Sequence, residues 1–490
     1  MGSNMKAEVE LKPRLLINGK LVEASDQKTF TLYNPATREK VADVPEATQA
    51  DVDAAVAAAK AAQPAWAAAS PDHRAACFKK LAQLLHKHSD ELAHLEAVSM
   101  GRPVSGYFDA HAAAAEFDHY AEAWGYIQGQ ASVNTPGYLT MTLRQPFGVV
   151  AAIIPWNVPL FFLGHKAAPA LITGNTVVLK SSEKAPITCA RVAELIVEAG
   201  FPPGVFNVLS GHGMPSGAAL SSHMDVRALT FTGSSRTGRL IQEAAAKSNL
   251  KKVTLELGGK SPALIFADAN IEKAVKETSY SLQWNSGQVC MANSRIYVEK
   301  SIAPKFIEAF TKQFADVKQG DPTSADVTVG PQADEVQYKN VTSYIEEGKK
   351  TSTLALGGKG KLDSTNGYFV EPTVFLDTAE DARIQKEEIF GPVANINTFE
   401  TEEEAIKKAN DTEFGLYASV YTKNIDRAVR VAKALESGYV GVNCTSPVTA
   451  KDLPFGGYKT SGQGREGWLH SMNNFLEEKS VIISIEEGGS

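Results

Sequence analysis

Between residues 50 and 125, apolar positions recur at helical spacing through DVDAAVAAAKAAQPAWAA and FKKLAQLLHKHSDELAHLEAVSM. That periodicity predicts about three alanine-rich helices. His86, His88 and His94 fall here without acidic or cysteine partners at fitting offsets, and they read as a solvated helix face. From Phe147 the texture changes. FGVVAAII and NTVVLK are short, continuously apolar, β-rich runs; KAPITCARVAELIVEAG then carries Pro186 near a helix start and Gly200 just past its end. GVFNVLSG, VRALTFTGSS and LKKVTLELGG repeat the strand theme, with the helical RTGRLIQEAAAKS between the last two. A second block follows: PALIFAD, the helix IEKAVKETSYSLQW, RIYVEK, a helix near Ala303 to Asp316, then NINTFET, EEAIKKAN, ASVYTK and DRAVRVAKALESG. Strands alternating with helices predict βαβ units and a mostly parallel sheet, with ligands gathered at the carboxyl ends of its strands. YLTMTLRQP and KSVIISI are isolated alternating strands at the margins, suited to pairing between subunits.

Composition narrows the class. The chain has 490 residues, enough for about three domains of ~150 residues. A net charge of −7 argues against a nucleic-acid binder, and no apolar run approaches the ~18 residues that cross a bilayer. Met1 to Asn4, ahead of Met5, is set aside as an expression remnant. Only four cysteines occur, at 77, 189, 290 and 444, with no CxxC pair. This disfavours a zinc site or a redox dithiol and points to a reducing, cytoplasmic setting.

Two glycine patterns mislead. GSSRTG, Gly233 to Gly238, has the spacing of a phosphate loop but lacks the following lysine and hydroxyl residue. GHGMPSG, Gly211 to Gly217, nearly matches the dinucleotide fingerprint, but its third glycine falls one residue late. GxSxG and HExxH are absent, which lowers the case for a serine hydrolase or zinc protease.

A thiol nucleophile acts as thiolate, and at pKa ~8.5 a free cysteine is only slightly ionised at neutral pH, so it needs a base. Cys290 follows a helix, and Gly287 lets the backbone turn just before it. No histidine lies between His223 and His470, so a carboxylate is the next candidate, and Glu256 stands at a strand end in LELGGKSP. Asn157, in PWNVP after a strand, could donate its amide to an oxyanion. Each signal alone has an ordinary alternative: a buried small side chain, a strand-end glutamate, a turn asparagine. Their combination decides.

That combination resembles the aldehyde dehydrogenase superfamily, on the hydrolytic, non-CoA-acylating branch. Seven motifs carry the resemblance, in order: PWNVP, LKSSE, FTGS, LELGGKSP, GQVC, EEIFGP and PFGGYKTSGQGRE. It implies an α/β fold with a Rossmann-type cofactor domain (5–125 and 146–257), an α/β catalytic domain (258–472) and a small β oligomerisation element (126–145 and 473–490). It further implies that Cys290 attacks an aldehyde to give a hemithioacetal, and that Asn157 and the Cys290 main-chain N–H hold the oxyanion. Glu256 then activates water against the thioester, while Lys166 and Glu466 relay the proton outward. The implied cofactor is NAD, with NADP tolerated. Lys180 and Glu183 would hold the adenosine ribose, Gly233 and Ser234 the pyrophosphate, and Glu388 and Phe390 the nicotinamide ribose and ring. Ile153, Pro155, Trp156, Gly213, Phe231, Leu257 and Gly258 complete the implied slot.

The chain departs from the family pattern in three places. Ser181 replaces a proline, Gln283 replaces an aromatic with Trp284 beside it, and one residue is added between Asn443 and Pro454. Phe161, Phe162, His165, Trp284, Val289, Met291 and Phe455 are the expected walls of the aldehyde tunnel, apolar and aromatic with no arginine among them. An aromatic or medium-chain aldehyde is the expected substrate. An anionic semialdehyde would need a cation such as Lys451. The rival readings are a CoA-acylating or semialdehyde-specific enzyme of the same family and a silent relative like the lens crystallins. The expected assembly is a homodimer or a dimer of dimers, and no metal is expected.

Overall fold

The computed structural model describes residues 12–362, 366–447, 450 and 452–486. Lys451 and Met1 to Asn4 lie outside the described residues. Two large sheets carry the chain. The first runs in the order Gly462–Gln463, Lys252–Glu256, Val226–Thr232, Val149–Ile153, Thr176–Lys180, Phe206–Leu209, Leu15–Ile17, Lys20–Val22, and its five middle strands are parallel. The second runs Thr353–Leu356, Thr373–Leu376, Val393–Phe399, Arg295–Glu299, Pro262–Ile265, Tyr417–Tyr421, Tyr439–Val442, parallel except at the first edge.

The apolar runs of the sequence become these central strands. Every residue of Val149–Ile153, Thr176–Lys180 and Tyr417–Tyr421 is buried. Helices cover both faces, so such strands need no polar side and show no alternation. On one face of the first sheet Phe78, Phe117, Leu160 and Leu171 close a core beneath helices Pro71–Lys87, Asp109–Ala121 and Pro159–Ile172. On the other, Val52 and Val56 of helix Gln49–Ala68 pack with Ile241 of helix Ser235–Lys247. The second sheet is backed by helix Ala303–Ala315, whose Phe306, Phe310 and Phe314 are wholly buried and lie ring by ring at 5.9 and 5.3 Å.

Several expectations are revised. The alanine-rich region folds as four helices, Gln49–Ala68, Pro71–Lys87, Ser89–Met100 and Asp109–Ala121, because Ser70 and His88 break the periodic stretch at two cap positions. The two-residue strand Gly462–Gln463 pairs antiparallel with Leu255 and Glu256, so the late chain edges the first sheet rather than staying with the second. Tyr138–Pro146 and Leu476–Ser484, the strands expected to pair between subunits, pair with each other in the same chain, from Leu476 opposite Pro146 to Ser484 opposite Tyr138. The outer edge of Leu476–Ser484 has no partner strand among the described residues, and Ile482 and Ile483 are exposed on it. No helix among the described residues is long and apolar enough to cross a membrane.

Candidate active site

Register at the carboxyl ends of the first sheet gathers the chemistry. Ile153 lies opposite Lys180 on one side and Phe231 on the other, and Thr232 lies opposite Glu256. The Gly233 N–H donates to the Glu256 carbonyl at 3.1 Å. A parallel sheet presents the groups that leave its strand ends side by side, and here these are a lysine, a carboxylate and two loops. The loop after Val149–Ile153 holds Pro155, Trp156 and Asn157, and Pro159 opens the next helix at its first position.

The thiol comes from the second half. Helix Ile271–Gln283 ends in a tight turn in which Asn285, Ser286 and Gly287 all have positive φ, at 50°, 56° and 73°. A Cβ on Gly287 would fall 2.2 Å from the Gly391 carbonyl, so only glycine admits this approach. The turn is tied down by Ser286 Oγ donating to the Gly330 carbonyl at 2.6 Å, and it delivers Cys290 half-exposed into a cavity. Asn157 Nδ2 donates one hydrogen to the Gln288 carbonyl at 3.0 Å. Its second hydrogen is left for another acceptor, and Asn157 lines the same cavity as Cys290. The Asn157 carbonyl is gripped by Arg102 Nη2 at 2.7 Å and Asn285 Nδ2 at 3.0 Å, and Arg102 is itself paired with Asp109.

Glu256 is buried, and neither of its carboxylate oxygens has a hydrogen-bond partner. Burial pushes its pKa up to about 8, and Lys166 pulls in the opposite direction. The Cys290 thiol is pushed well above its ordinary value by burial, then by the charges of Glu256 and Glu388. Two anions this close are unfavourable in a dry site, so ionisation of either group disfavours ionisation of the other. A proton can therefore pass from thiol to carboxyl when the nucleophile is needed, and back from water later.

Behind Glu256, Lys166 Nζ donates to Glu466 Oε1 at 2.7 Å and to Thr230 Oγ1 at 3.0 Å, wholly buried. Lys166 holds Glu466 below the usual carboxylate range despite burial. His165, next along the helix, sits between Glu466 Oε2 at 3.7 Å and Glu116 Oε2 at 3.5 Å. Burial alone would lower the imidazole, but the two carboxylates outweigh it and raise its pKa.

Most of the residues expected to hold a dinucleotide stand at or just past the carboxyl ends of the first sheet's strands. Lys180 is buried with its Nζ on the Ser181 carbonyl at 2.9 Å, and Ser182 Oγ donates to Glu183 Oε2 at 3.2 Å. Ser181, where relatives carry proline, fills the loop by donating its N–H to the Leu209 carbonyl at 2.9 Å. Gly233 and Ser234 lead into helix Ser235–Lys247, and Ser234 Oγ caps it by accepting from the Thr237 N–H. A Cβ on Gly233 would meet Phe231 Cζ at 2.5 Å, and one on Gly258 would meet Glu388 Oε2 at 2.3 Å. Gly259 N–H holds Glu388 Oε1 at 2.8 Å, and burial pushes that carboxyl up to about 7. Phe390, at φ 58°, meets Trp156 edge-on at 5.3 Å. Leu257 is buried against Gly238. Gly213 opens an exposed turn where a Cβ would find open space, so packing there does not demand glycine.

The cavity encloses about 530 Å³. All seven expected wall residues line it: Phe161, Phe162, His165, Trp284, Val289, Met291 and Phe455. Gln283 does not; its amide donates to the Gln313 carbonyl at 2.9 Å, at the end of helix Ala303–Ala315. The wholly apolar wall is corrected, because Glu116 and His119 also line the space.

Residues 21–481 match the family described as the aldehyde dehydrogenase family. An aldehyde dehydrogenase of Alternaria alternata is 45% identical over 482 residues, 98% of this chain and 96% of its own length. Aldehyde dehydrogenase 1A1 of Homo sapiens is 42% identical over 482 residues, 97% of this chain and 96% of its own. The chain belongs to the aldehyde dehydrogenase family. Among solved structures, KauB of Pseudomonas aeruginosa, an aldehyde dehydrogenase, is 40% identical with TM-score 0.94 and 97% of each chain covered. P. syringae AldA, an indole-3-acetaldehyde dehydrogenase solved as a mutant with NAD+ and IAA, is 40% identical with TM-score 0.95 and 98% of each chain covered.

In this aldehyde dehydrogenase the residues that sequence reasoning passed over are Arg102, Asp109 and Glu116. A signal for Glu116 existed. In DAHAAAAEFDHYA the buried stripe Asp109, Ala113, Glu116, Tyr120 follows helical spacing, and a carboxylate on the apolar stripe of a helix is uncommon without a purpose.

Shared charge at the thiol gives a pH test. Glu256→Gln removes one anion facing Cys290, so the thiol should ionise at lower pH. The rate of alkylation by iodoacetamide, followed across pH with NAD absent, should therefore reach its midpoint earlier in the variant. An unchanged or later midpoint would mean that Glu256 carries no charge beside the thiol.

Proposed function

We propose that this enzyme oxidises an aromatic or medium-chain apolar aldehyde to the free carboxylic acid with NAD, through a thioester on Cys290. The observation that supports the reading is a buried Glu256 whose carboxyl burial pushes up to about 8 and whose charge bears on the Cys290 thiol. CoA-acylating relatives lack such a base. The site suits a dinucleotide: Gly233 and Ser234 open a helix N-terminus that would take the pyrophosphate. Lys180 and Glu183 would hold the adenosine ribose. The Glu183 carboxylate favours NAD over a 2′-phosphate, while Lys180 leaves NADP tolerated. Glu388 and Phe390 would hold the nicotinamide ribose and ring beside Trp156. When bound, NAD supplies the hydride acceptor.

The protein's own steps follow from the geometry. Cys290 Sγ, deprotonated toward Glu256, attacks the carbonyl carbon. The free Asn157 Nδ2–H and the Cys290 main-chain N–H stabilise the oxygen as it gains charge. Loss of hydride from that carbon leaves the thioester. Glu256 gives up the proton it took from the thiol and takes one from water, the hydroxyl adds to the thioester, and the acid departs as the thiolate leaves and recovers that second proton from Glu256. Asn157 acts only as firmly as its loop is held, which is the task of Arg102 and Asn285.

The cavity wall supports the substrate class. Phe161, Trp284 and Phe455 offer ring contacts, and each buried methylene is worth about 0.8 kcal/mol. Glu116 makes the wall unwelcoming to a carboxylate tail, whose burial without a partner costs a few kcal/mol. The resemblance to the P. syringae indole-3-acetaldehyde dehydrogenase favours the same class. We further propose a homo-oligomer built on the outer edge of Leu476–Ser484, since an unpaired edge bearing exposed isoleucines is a pairing template.

Four outcomes test this reading. Glu256→Gln should release about one NADH per site in the first turnover and then slow by about 100-fold or more, as expected for a lost general base. Cys290→Ser should bind NAD and lose the burst. Undiminished steady turnover of Glu256→Gln, or wild-type turnover that needs CoA, would overturn the hydrolytic assignment. In a substrate panel with NAD and with NADP, phenylacetaldehyde, indole-3-acetaldehyde and hexanal should exceed succinic semialdehyde by about tenfold in kcat/KM, equivalent to 1.4 kcal/mol; the reverse order would sink the wall argument. Light scattering at micromolar protein should give a dimer or larger, and a monomer would refute the edge proposal.

A further inference from the structure

The proton that Glu256 takes from the thiol must leave the buried pocket before Glu256 can take one from water, so each turnover must dispose of it. The exit is not settled by Glu256 itself, whose oxygens have no hydrogen-bond partner. Next to it stands the Lys166–Glu466 pair, both residues buried, with Glu466 Oε1 on the ammonium at 2.7 Å. The other oxygen, Glu466 Oε2, has no hydrogen-bond partner and lies 3.7 Å from His165 Nε2. The opposite ring nitrogen, His165 Nδ1, is likewise buried without a hydrogen-bond partner and lies 3.5 Å from Glu116 Oε2. His165 and Glu116 both line the aldehyde cavity. Buried polar atoms without partners are rare because each costs free energy. Here two of them lie in line, each slightly beyond hydrogen-bond distance from the next group.

We propose, on the hydrolytic reading above, that His165 carries the deacylation proton from the Lys166–Glu466 pair to the aldehyde cavity, where Glu116 passes it to water. A proton enters the ring at Nε2 from Glu466 Oε2 as the one on Nδ1 leaves for Glu116, and a half-turn of the ring about Cβ–Cγ then brings the vacant nitrogen back to Glu466. Small side-chain rotations close both gaps. The stack of His165 on Phe161, at 5.1 Å and 19°, holds the ring plane before and after that half-turn.

The surroundings are consistent with this role. Facing His165 are Glu116 of helix Asp109–Ala121, which also carries His119 and Tyr120, then Lys166 on its own helix, and Glu466 from the segment before helix Trp468–Asn474. Tyr120 is influenced by both carboxylates, but burial raises it far from the working range, so it titrates in no cycle. An imidazole has two ring nitrogens on opposite edges, and here they face two different carboxylates, which suits a shuttle. Its route opens the proton exit on the substrate side, so product acid and proton leave through the same mouth.

The test separates acylation from deacylation and uses the full-length enzyme. His165→Phe and His165→Gly are compared with wild type for the NADH burst and for steady turnover, with thermal midpoints confirming folding. The expected result is a burst of wild-type size with kcat lowered by about tenfold or more, on the scale of a lost proton transfer. Added imidazole should restore kcat several-fold in His165→Gly and leave wild type unchanged. Glu116→Gln should lower kcat with buffer concentration now limiting it. Burst and turnover falling together, kcat within twofold of wild type in His165→Phe, or no imidazole rescue in a folded His165→Gly would overturn the proposal and leave the thioester reading standing. Wild-type turnover only with CoA would remove both.

Discussion

The thiol turn sits where three backbones come closer than any side chain would allow. A Cβ on Gly259 would lie 2.3 Å from the Cys290 carbonyl, one on Gly287 2.2 Å from the Gly391 carbonyl, and one on Gly258 2.3 Å from Glu388. Those loops come from the end of the first sheet, from the thiol turn and from the segment leading into Val393–Phe399. Their mutual contact brings Glu256, Cys290 and Glu388 into one small volume. The helices, the two sheets and the oxyanion amide are arranged around this approach. A methyl group at any of the three glycines would push apart groups that react only when they meet.

Bringing the loops so close also sets the electrostatics. Little water is left, and the carboxylates beside the thiol have few donors to satisfy them. Glu256 has none, and Glu388 has the Gly259 N–H. A carboxylate stripped of partners is a stronger base than one on the surface, and a thiol facing it stays protonated until an acceptor for its proton is ready. The resting site is therefore quiet, and a thiol that is seldom ionised is also seldom oxidised. Reactivity then depends on a proton moving between two side chains rather than on a standing thiolate.

Much of this was readable in the chain. The central strands are legible because burial on both faces leaves unbroken apolar runs, as in VVAAI and TVVLK. Cys290, Glu256 and Asn157 were singled out from residue chemistry, order and the family resemblance, and the seven wall positions, chosen from their distance along the helix and the turn, line one cavity with Cys290 and Asn157. What stayed hidden has physical reasons. Leu15–Ile17 and Lys20–Val22 are three residues each, too short for alternation to register. Gly462–Gln463 is a strand only because Leu255 and Glu256 lie beside it. Tyr138–Pro146 carried the right alternation, but pattern alone could not say whether its partner belonged to the same chain. Glu116 and Arg102 act across long sequence separations, and their meaning comes from what they touch.

The pairing of Glu256 with Gly462 has a consequence for how the enzyme comes into being. The strand that ends in Glu256 is made 206 residues before its outer neighbour Gly462, and Glu466 lies four residues beyond that. Ser461, just before that neighbour, also donates to the Gly258 carbonyl at 2.6 Å and accepts the Leu257 N–H at 2.9 Å. The surroundings of Glu256 are thus completed by a segment far along the chain, so the carboxylate gains its final setting only when Ser461 to Glu466 have joined the first sheet.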